Sequence, residues 1–416
     1  PHITNEIMDM IKSVSKDVDV AIVELGGTVG DIESMPFLEA VRQLEIEVGH
    51  ENIVFIHTTL VPVMNVVGEQ KTKPTQHSVK ELRAIGIHPD IIICRSQKAL
   101  EKSAKEKISL FCNVDIKGVI SAPDVDCVYE VPLLFEKQGL TDYLLKRLGI
   151  CERENVISSW KEFVNRTIYS KNEVKIGIVG KYTDLKDAYL SHIEALTHAG
   201  SALSSRVNIS WIEATDLEND GKDKLKGLAG LLIPGGFGKR GAEGKIIAIN
   251  YSRINDIPFL GICFGFQLAV IEYARSVLGF KNANSTELEP ETEEPVIDIL
   301  PEQRGINELG GTMRLGLHKV MIKEGSTARK IYGRNMIMER HRHRYEVSPK
   351  YIEELEKNGM QFSGRSEDGK RMEILELPEK KFFIATQFHP EFLSRPNKPS
   401  PVFLEFLKNA LSSSGS

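Results

Sequence analysis

The stretch that most constrains this chain covers residues 257–271 and reads I-P-F-L-G-I-C-F-G-F-Q-L-A-V-I. An apolar run leads into Gly-x-Cys-x-Gly, and an apolar segment of helical character follows. Gly261 and Gly265 permit a sharp strand-to-helix turn that holds the side chain between them clear of a sheet. That is the layout of a nucleophile elbow, with Cys where the hydrolase version carries Ser. A helix N-terminus behind the thiol favours the thiolate, which is the nucleophilic form. The same residues also suit a buried cysteine in a tight α/β turn, so the rest of the chain must decide.

A reactive Cys263 needs a base. The run F-F-I-A-T-Q-F at residues 382–388 reads as a strand and ends in H-P-E, so His389 and Glu391 stand two residues apart at a strand end. An imidazole there takes the thiol proton, and the carboxylate fixes its tautomer and stabilises the imidazolium. The turn P-G-G-F-G at residues 234–238 offers unhindered backbone N–H groups. The amides of Gly236 and Phe264 are therefore candidates for an oxyanion hole, in which one donor is worth roughly 3 to 4 kcal/mol. A lone histidine is more often structural. An elbow, a Gly-Gly turn one strand earlier and a terminal His-x-Glu together favour the nucleophile.

A chain of 416 residues holds two or three domains. Strands alternate with helices on both sides of a polar stretch. This predicts an α/β protein of two domains, each a mostly parallel sheet flanked by helices. The expected boundaries are 1–150 and 174–410, with a linker over 151–173 and a disordered tail over 411–416. In the first domain strands are expected at 18–24, 52–57, 90–94 and 118–121, and helices at 3–14, 78–86 and 100–111. In the second, strands at 174–180 and 207–213 flank a helix at 186–200. Shorter strands after residue 295 suggest an antiparallel extension.

Ligands of such sheets collect at the carboxyl ends of the strands. Glu24 ends the 18–24 run and is followed by Gly26, Gly27 and Gly30. An acid so placed resembles the metal-holding acid of phosphate-transferring enzymes, and the glycines admit an anion; taken alone, the glycines suit a plain turn better than a site. Asp31 and Glu33 suit a metal or a ribose, or cap the helix starting near Met35. In G-E-Q-K-T-K-P-T-Q-H-S-V-K, residues 68–80, Lys71 and Lys73 meet a helix start pre-set by Pro74. This is a phosphate-binding arrangement or a solvated basic loop. Lys107 reads simply as a helix surface charge. No G-K-[ST] occurs, so no Walker A loop is present in these residues.

The net charge of −5 gives no general pull toward nucleic acid. Five cysteines, odd in number and without C-x-x-C, suit a reduced intracellular protein better than a disulfide framework or a zinc site. No apolar run approaches the roughly 18 residues of a membrane span, and no signal-peptide pattern is present. The sequence opens on Pro1 inside an ordered-looking unit, so a fragment of a longer protein is expected.

The motifs P-G-G-F-G, G-I-C-F-G-F-Q and H-P-E, in that order, resemble those of the class I glutamine amidotransferases. Within them the CTP synthase family is most similar, through V-E-L-G-G-T-V-G-D-I-E, G-E-Q-K-T-K-P-T-Q, N-A-N-S-T-E, G-G-T-M-R-L-G and E-R-H-R-H-R-Y-E, spread over nearly the whole chain. C-F-G-F-Q stands where C-L-G-M-Q is common, an apolar exchange. The resemblance implies that the second domain hydrolyses glutamine through a thioester on Cys263, with His389 and Glu391 completing the triad. Gly236, the turn Phe264, Gly265, Phe266 and Gln267, and also Glu287 and Arg344, would hold the glutamine.

It further implies that the first domain uses ATP to phosphorylate UTP, which ammonia then converts to CTP. Glu24 would bind Mg²⁺. Asp31, Ile32, Glu33, Lys71, Thr72, Lys73, Pro74, Thr75, Gln76 and Lys107 would meet UTP or CTP. Arg95 and Val125 would meet ATP. GTP would act as an allosteric activator, with Arg314 a candidate contact, and residues 61–68 would help wall an ammonia route. A cytoplasmic homotetramer is the assembly implied, with neither nucleic acid nor membrane as a partner. The family's P-loop and a second Mg²⁺-binding Asp belong to a stretch ahead of Pro1, so these residues alone are expected to retain the glutaminase half-reaction. Two other readings compete: a free-standing glutaminase or γ-glutamyl hydrolase, and an inactive nucleotide-sensing, filament-forming protein.

Overall fold

Three β-branched runs build the sheet of the first unit, Pro1–Ser158. The computed structural model describes residues 1–64, 68–151, 157–181, 183, 185–219, 221–299 and 313–414. Strands β1 (Ile56–Leu60), β2 (Ile91–Ser96) and β3 (Val119–Pro123) pair in parallel in that order, with Ile56 opposite Ile91 and Ile92 opposite Val119. Parallel neighbours need crossovers, supplied here by the helices Lys73–Ala84 and Lys102–Cys112. Val79, Ile92, Cys94, Ile108 and Val119 close the core between helices and sheet.

One expected strand is missing. Residues 18–24 form no ladder among the described residues; Val18, Val20 and Val23 are exposed, and Ile22 is 95% exposed. An apolar run shows that a segment could be buried, whereas a strand also requires a neighbour for its N–H and C=O groups.

The second unit, Ser159–Ser416, holds the larger sheet. Its strands are β4 (Asn172–Gly180), β5 (Ser205–Glu213), β6 (Gly230–Ile233), β7 (Phe259–Ile262), β8 (Ala283–Ser285), β9 (Glu294–Ile299), β10 (Arg314–Ile322), β11 (Met336–His343), β12 (Tyr345–Val347), β13 (Gln361–Ser366), β14 (Met372–Glu376) and β15 (Phe383–Thr386). Among the described residues, nine of them form one sheet in the order β11-β10-β13-β14-β15-β7-β6-β4-β5. The pairs from β15 to β5 are parallel and those from β11 to β15 antiparallel. The expected α/β class with an antiparallel extension is what forms. Strands β12, β9 and β8 make a small separate sheet.

A helix, which residues 160–168 of the expected linker also suit, forms there, and the expected tail is corrected. The 151–173 linker contains the helix Ile157–Tyr169, whose Phe163 is buried and whose Phe163 carbonyl accepts a hydrogen bond from Ser201 Oγ at 3.2 Å. Residues 152–156 lie outside the described residues. The tail expected from residue 411 is instead helical through Ser414, because Phe403, Phe406, Leu407 and Ala410 continue an apolar face into the core and Leu411 packs against it.

Candidate active site

Strand β7 is buried along its length, and the helix that follows, Phe264–Ser276, is apolar nearly all round. Such a helix belongs inside, and close packing fixes how the chain turns into it. A Cβ on Gly265 would lie 2.3 Å from the Ile233 carbonyl oxygen, so only glycine lets this helix reach β6. Cys263 sits in the turn with φ +51° and ψ −97°, a sparsely populated conformation for any residue with a side chain. Its N–H donates to the Thr386 carbonyl at 2.7 Å, pinning the strained residue to β15.

Because β15, β7 and β6 are parallel neighbours, their carboxyl ends bring three loops together. The loop after β15 carries His389, whose Nδ1 meets Glu391 Oε1 at 2.7 Å. Its backbone N–H is tied to the Arg340 carbonyl at 2.9 Å, and its ring stacks on Phe392. Burial works against charge on His389, but the Cys263 sulfur and the Glu391 carboxylate overcome it and push its pKa up to about 10. Burial also opposes the Glu391 charge, yet His192 and His389 hold its carboxyl below the ordinary range. The ring is therefore held as an imidazolium beside the Cys263 sulfur.

The loop after β6 closes the other side. A Cβ on Gly235 would lie 3.0 Å from His389 Cε1 and 3.7 Å from Cys263 Cβ, so the glycine turn rests directly on the pair. Phe264 is the first residue of its helix, and its amide has no intrahelical acceptor. A Cβ on Gly236 would lie 3.7 Å from the Phe264 ring, so the two expected donors belong to neighbouring residues of the turn. The side chains of Phe264 and Phe266 point into the core, so this turn can serve a ligand only through its backbone. Gln267 is also turned inward, donating to the Tyr345 carbonyl at 3.0 Å and to Gln387 Oε1 at 3.2 Å. Glu287 accepts the Gly238 N–H at 2.7 Å; burial raises its pKa, which that hydrogen bond, Lys181 and Arg344 oppose. Glu287 and Arg344 lie close enough to influence each other's charge.

Three participants escaped the sequence. Gln387 Nε2 donates to Cys263 Sγ at 3.7 Å, while the thiol points to the Arg342 carbonyl at 3.8 Å. The amide serves the thiolate and the carbonyl serves the thiol. A polar residue ending the apolar run before H-P-E was the available signal. Lys245, on the helix Ala242–Ile254, is 1% exposed, with its ammonium 5.3 Å from the Phe264 ring centre. Burial and the nearby Lys181 pull its pKa down to about 7, against the pull of Glu213 and Cys263. His192 stands beside Glu391. Nothing in the local sequence of either marks it.

In the first unit the helix Lys73–Ala84 begins as predicted, with Pro74 in its first turn and Gln76 Nε2 bonded to Thr72 Oγ1 at 3.0 Å. Lys73 reaches over the Phe111 ring, and Lys71 is paired with Glu69 at 2.7 Å. Lys107 is exposed and near enough to lower the Glu69 pKa, behind the larger effect of Lys71. Thr75 faces inward, bonded to Thr59 Oγ1 at 2.9 Å. Asp31 accepts the Thr28 N–H at 3.3 Å, Ile32 and Glu33 are exposed, and the helix itself starts at Met35.

Arg95 binds the Ala122 carbonyl at 2.8 Å and Asp124 at 2.9 Å, next to half-buried Val125. Glu24 is exposed, and no metal-type cluster surrounds it among the described residues. One carboxylate suits Mg²⁺ only when phosphates complete the shell. Arg314 turns inward onto Glu373 as an ion pair, with its side chain 11% exposed, so it is not presented to a nucleotide. Residues 310–312 of its loop, and 65–67 of the expected ammonia wall, lie outside the described residues.

Comparison with known proteins agrees with this geometry. Residues 1–150 match the family model for the CTP synthase N-terminus, and residues 184–409 match that for class I glutamine amidotransferases. A CTP synthase of Thermococcus gammatolerans is 58% identical over 411 residues, covering 99% of this chain and 77% of that protein. One from Methanopyrus kandleri is 55% identical over 416 residues, covering 99% and 78%. A solved glutaminase domain of Trypanosoma brucei CTPS, with bound acivicin, superposes with a TM-score of 0.55 at 39% identity, over 57% of this chain and 94% of that one. No helix among the described residues is long and apolar enough to cross a membrane. With a glutamine amidotransferase elbow in its second unit and these relatives along its length, the chain belongs to the CTP synthase family.

Proposed function

We propose that Cys263, His389 and Glu391 release ammonia from glutamine for the ATP-dependent conversion of UTP to CTP. The observation that carries this is the strained Cys263 held against an imidazole that Glu391 grips at 2.7 Å. The thiolate adds to the carboxamide carbon of glutamine while the Gly236 and Phe264 amides receive the oxyanion. The imidazolium then protonates the departing nitrogen, so that ammonia leaves and a thioester remains. Neutral His389 next takes a proton from water, hydroxide attacks the thioester, and glutamate departs as the thiol is restored. Glu287 takes the substrate ammonium and Arg344 its carboxylate.

In the first unit a basic cleft of about 630 Å³ along the helix Lys73–Ala84, lined by Lys73, Gln76, His77, Lys80, Arg83 and Phe111 among others, supports a nucleoside triphosphate with its phosphates toward the helix start at Lys73. UTP is the ligand we assign to it, together with Asp31, Ile32, Glu33, Lys71 and Lys107. ATP is assigned to the end of β3 at Arg95 and Val125. Glu24 would hold Mg²⁺ jointly with nucleotide phosphates, where the ion neutralises phosphate charge. GTP is assigned as an activator without a site. We place the protein in the cytoplasm, where its five free cysteines remain reduced, and assign it a homotetramer.

Given UTP, ATP, Mg²⁺ and glutamine, the protein should form CTP. Cys263→Ala should abolish glutamine-driven synthesis and spare synthesis from free ammonia. Acivicin should consume the Cys263 thiol. Glutamine-driven activity surviving in Cys263→Ala would remove Cys263 from the mechanism. Glutamine hydrolysis without any UTP binding would favour a free-standing glutaminase.

A further inference from the structure

Behind His389 the catalytic carboxylate faces a second imidazole. His192 lies in the first turn of the helix Leu190–Ala202. Its Nε2 is 3.5 Å from Glu391 Oε1, the same oxygen that His389 Nδ1 reaches at 2.7 Å. His192 is 6% exposed and Glu391 3%, so water serves neither well. Among the described residues, His192 Nε2 and Glu391 Oε2 both lack a conventional hydrogen bond. Leaving a buried carboxylate short of donors is costly, and a small rotation of either side chain turns the 3.5 Å contact into a hydrogen bond.

The helix start is anchored in the right place. Tyr189 meets the His192 ring edge-on at 6.3 Å, and its hydroxyl accepts the Lys181 N–H at 2.8 Å. On the far side of the ring, Nδ1 has Ser191 Oγ as its one partner among the described residues, at 3.5 Å.

We propose that His192 is a positioning residue that donates from Nε2 to Glu391, extending the triad to a chain Cys263–His389–Glu391–His192. The proposal rests on the glutaminase reading given above. During turnover His389 alternates between imidazolium and imidazole, and its carboxylate partner has to stay ionised and aimed throughout. A donor on the opposite flank does both. Burial keeps His192 itself neutral, against the pull of Glu391. The neutral ring has one N–H, and the carboxylate favours it on Nε2. The other titratable groups felt at this pair are His389, Lys245 on the helix Ala242–Ile254 and Glu339 on β11, while Cys263, His341 and His343 act on His389. These are common to every variant, so differences between variants isolate His192.

The test uses the full chain and glutamine hydrolysis. His192→Phe keeps a ring but no donor; His192→Gln restores an N–H. His192→Phe should lower kcat about tenfold at unchanged KM for glutamine, the low end for a charged hydrogen bond. It should also move the acid limb of kcat/KM to higher pH, because a carboxylate that loses a donor binds its proton more tightly. His192→Gln should recover most of both. A wild-type pH profile and kcat in His192→Phe would overturn the proposal, as would equal impairment of the two variants. Should the variants not fold, ¹⁵N-imidazole NMR of the wild-type chain still decides: a neutral His192 with its proton on Nε2 is expected, and a proton on Nδ1 overturns it. A wild-type chain that releases no ammonia would instead count against the reading of Cys263, leaving the NMR result to judge His192.

Discussion

At the scale of single residues, two buried bases near the nucleophile pull stability in opposite directions with pH. His389 has a folded pKa of about 10, above the ordinary 6.5. Its stabilising contribution is complete below about 6.5 and is lost as pH rises through about 10. Lys245 has a folded pKa of about 7, below 10.5, so the unfolded chain binds more protons between those values and stability rises with pH across them. Thermal melts should separate the two. Cys263→Ala removes the partner that raises the His389 pKa and should flatten the alkaline loss of stability. Lys245→Met should remove the opposing rise and raise the melting temperature near neutral pH. Equal pH slopes in wild type and both variants would contradict these assignments.

At the scale of elements, the glycine-mediated packing of the helix Phe264–Ser276 on β6 sets the elbow. Gly265→Ala should cost about 2 to 3 kcal/mol, as overpacking generally does, and should depress glutamine hydrolysis beyond what the stability loss explains. Comparing denaturant midpoints with kcat at a temperature where the variant is folded would check this. Strands β2, β3, β4, β6 and β7 were legible because each is a short apolar run with Gly or Pro at or near an end, and the elbow because its glycines lie beside its cysteine. What stayed hidden was pairing. Residues 18–24 carry a strand's composition and lack a ladder partner among the described residues. His192 and Lys245 reach the site from helices whose own sequences read as ordinary, and only the order of strands brings those helices in. Gln387 was nearer to view, since it immediately precedes F-H-P-E.

At the scale of the whole molecule, the two compact units each have their own apolar cores. Residues 159–416 expressed alone should therefore fold and hydrolyse glutamine, with KM close to that of the full chain; an unfolded or inert fragment would refute this. Within that unit β15, the last strand in sequence, lies between β14 and β7 in the middle of the sheet. Synthesis thus delivers the nucleophile long before its base, and the base arrives only when the final strand is inserted between two already made. Such long-range closure is slow. A nascent chain that has passed Cys263 but not His389 carries a thiol without a proton acceptor, so glutamine is safe from it. Chemistry here begins only when translation of the sheet is complete.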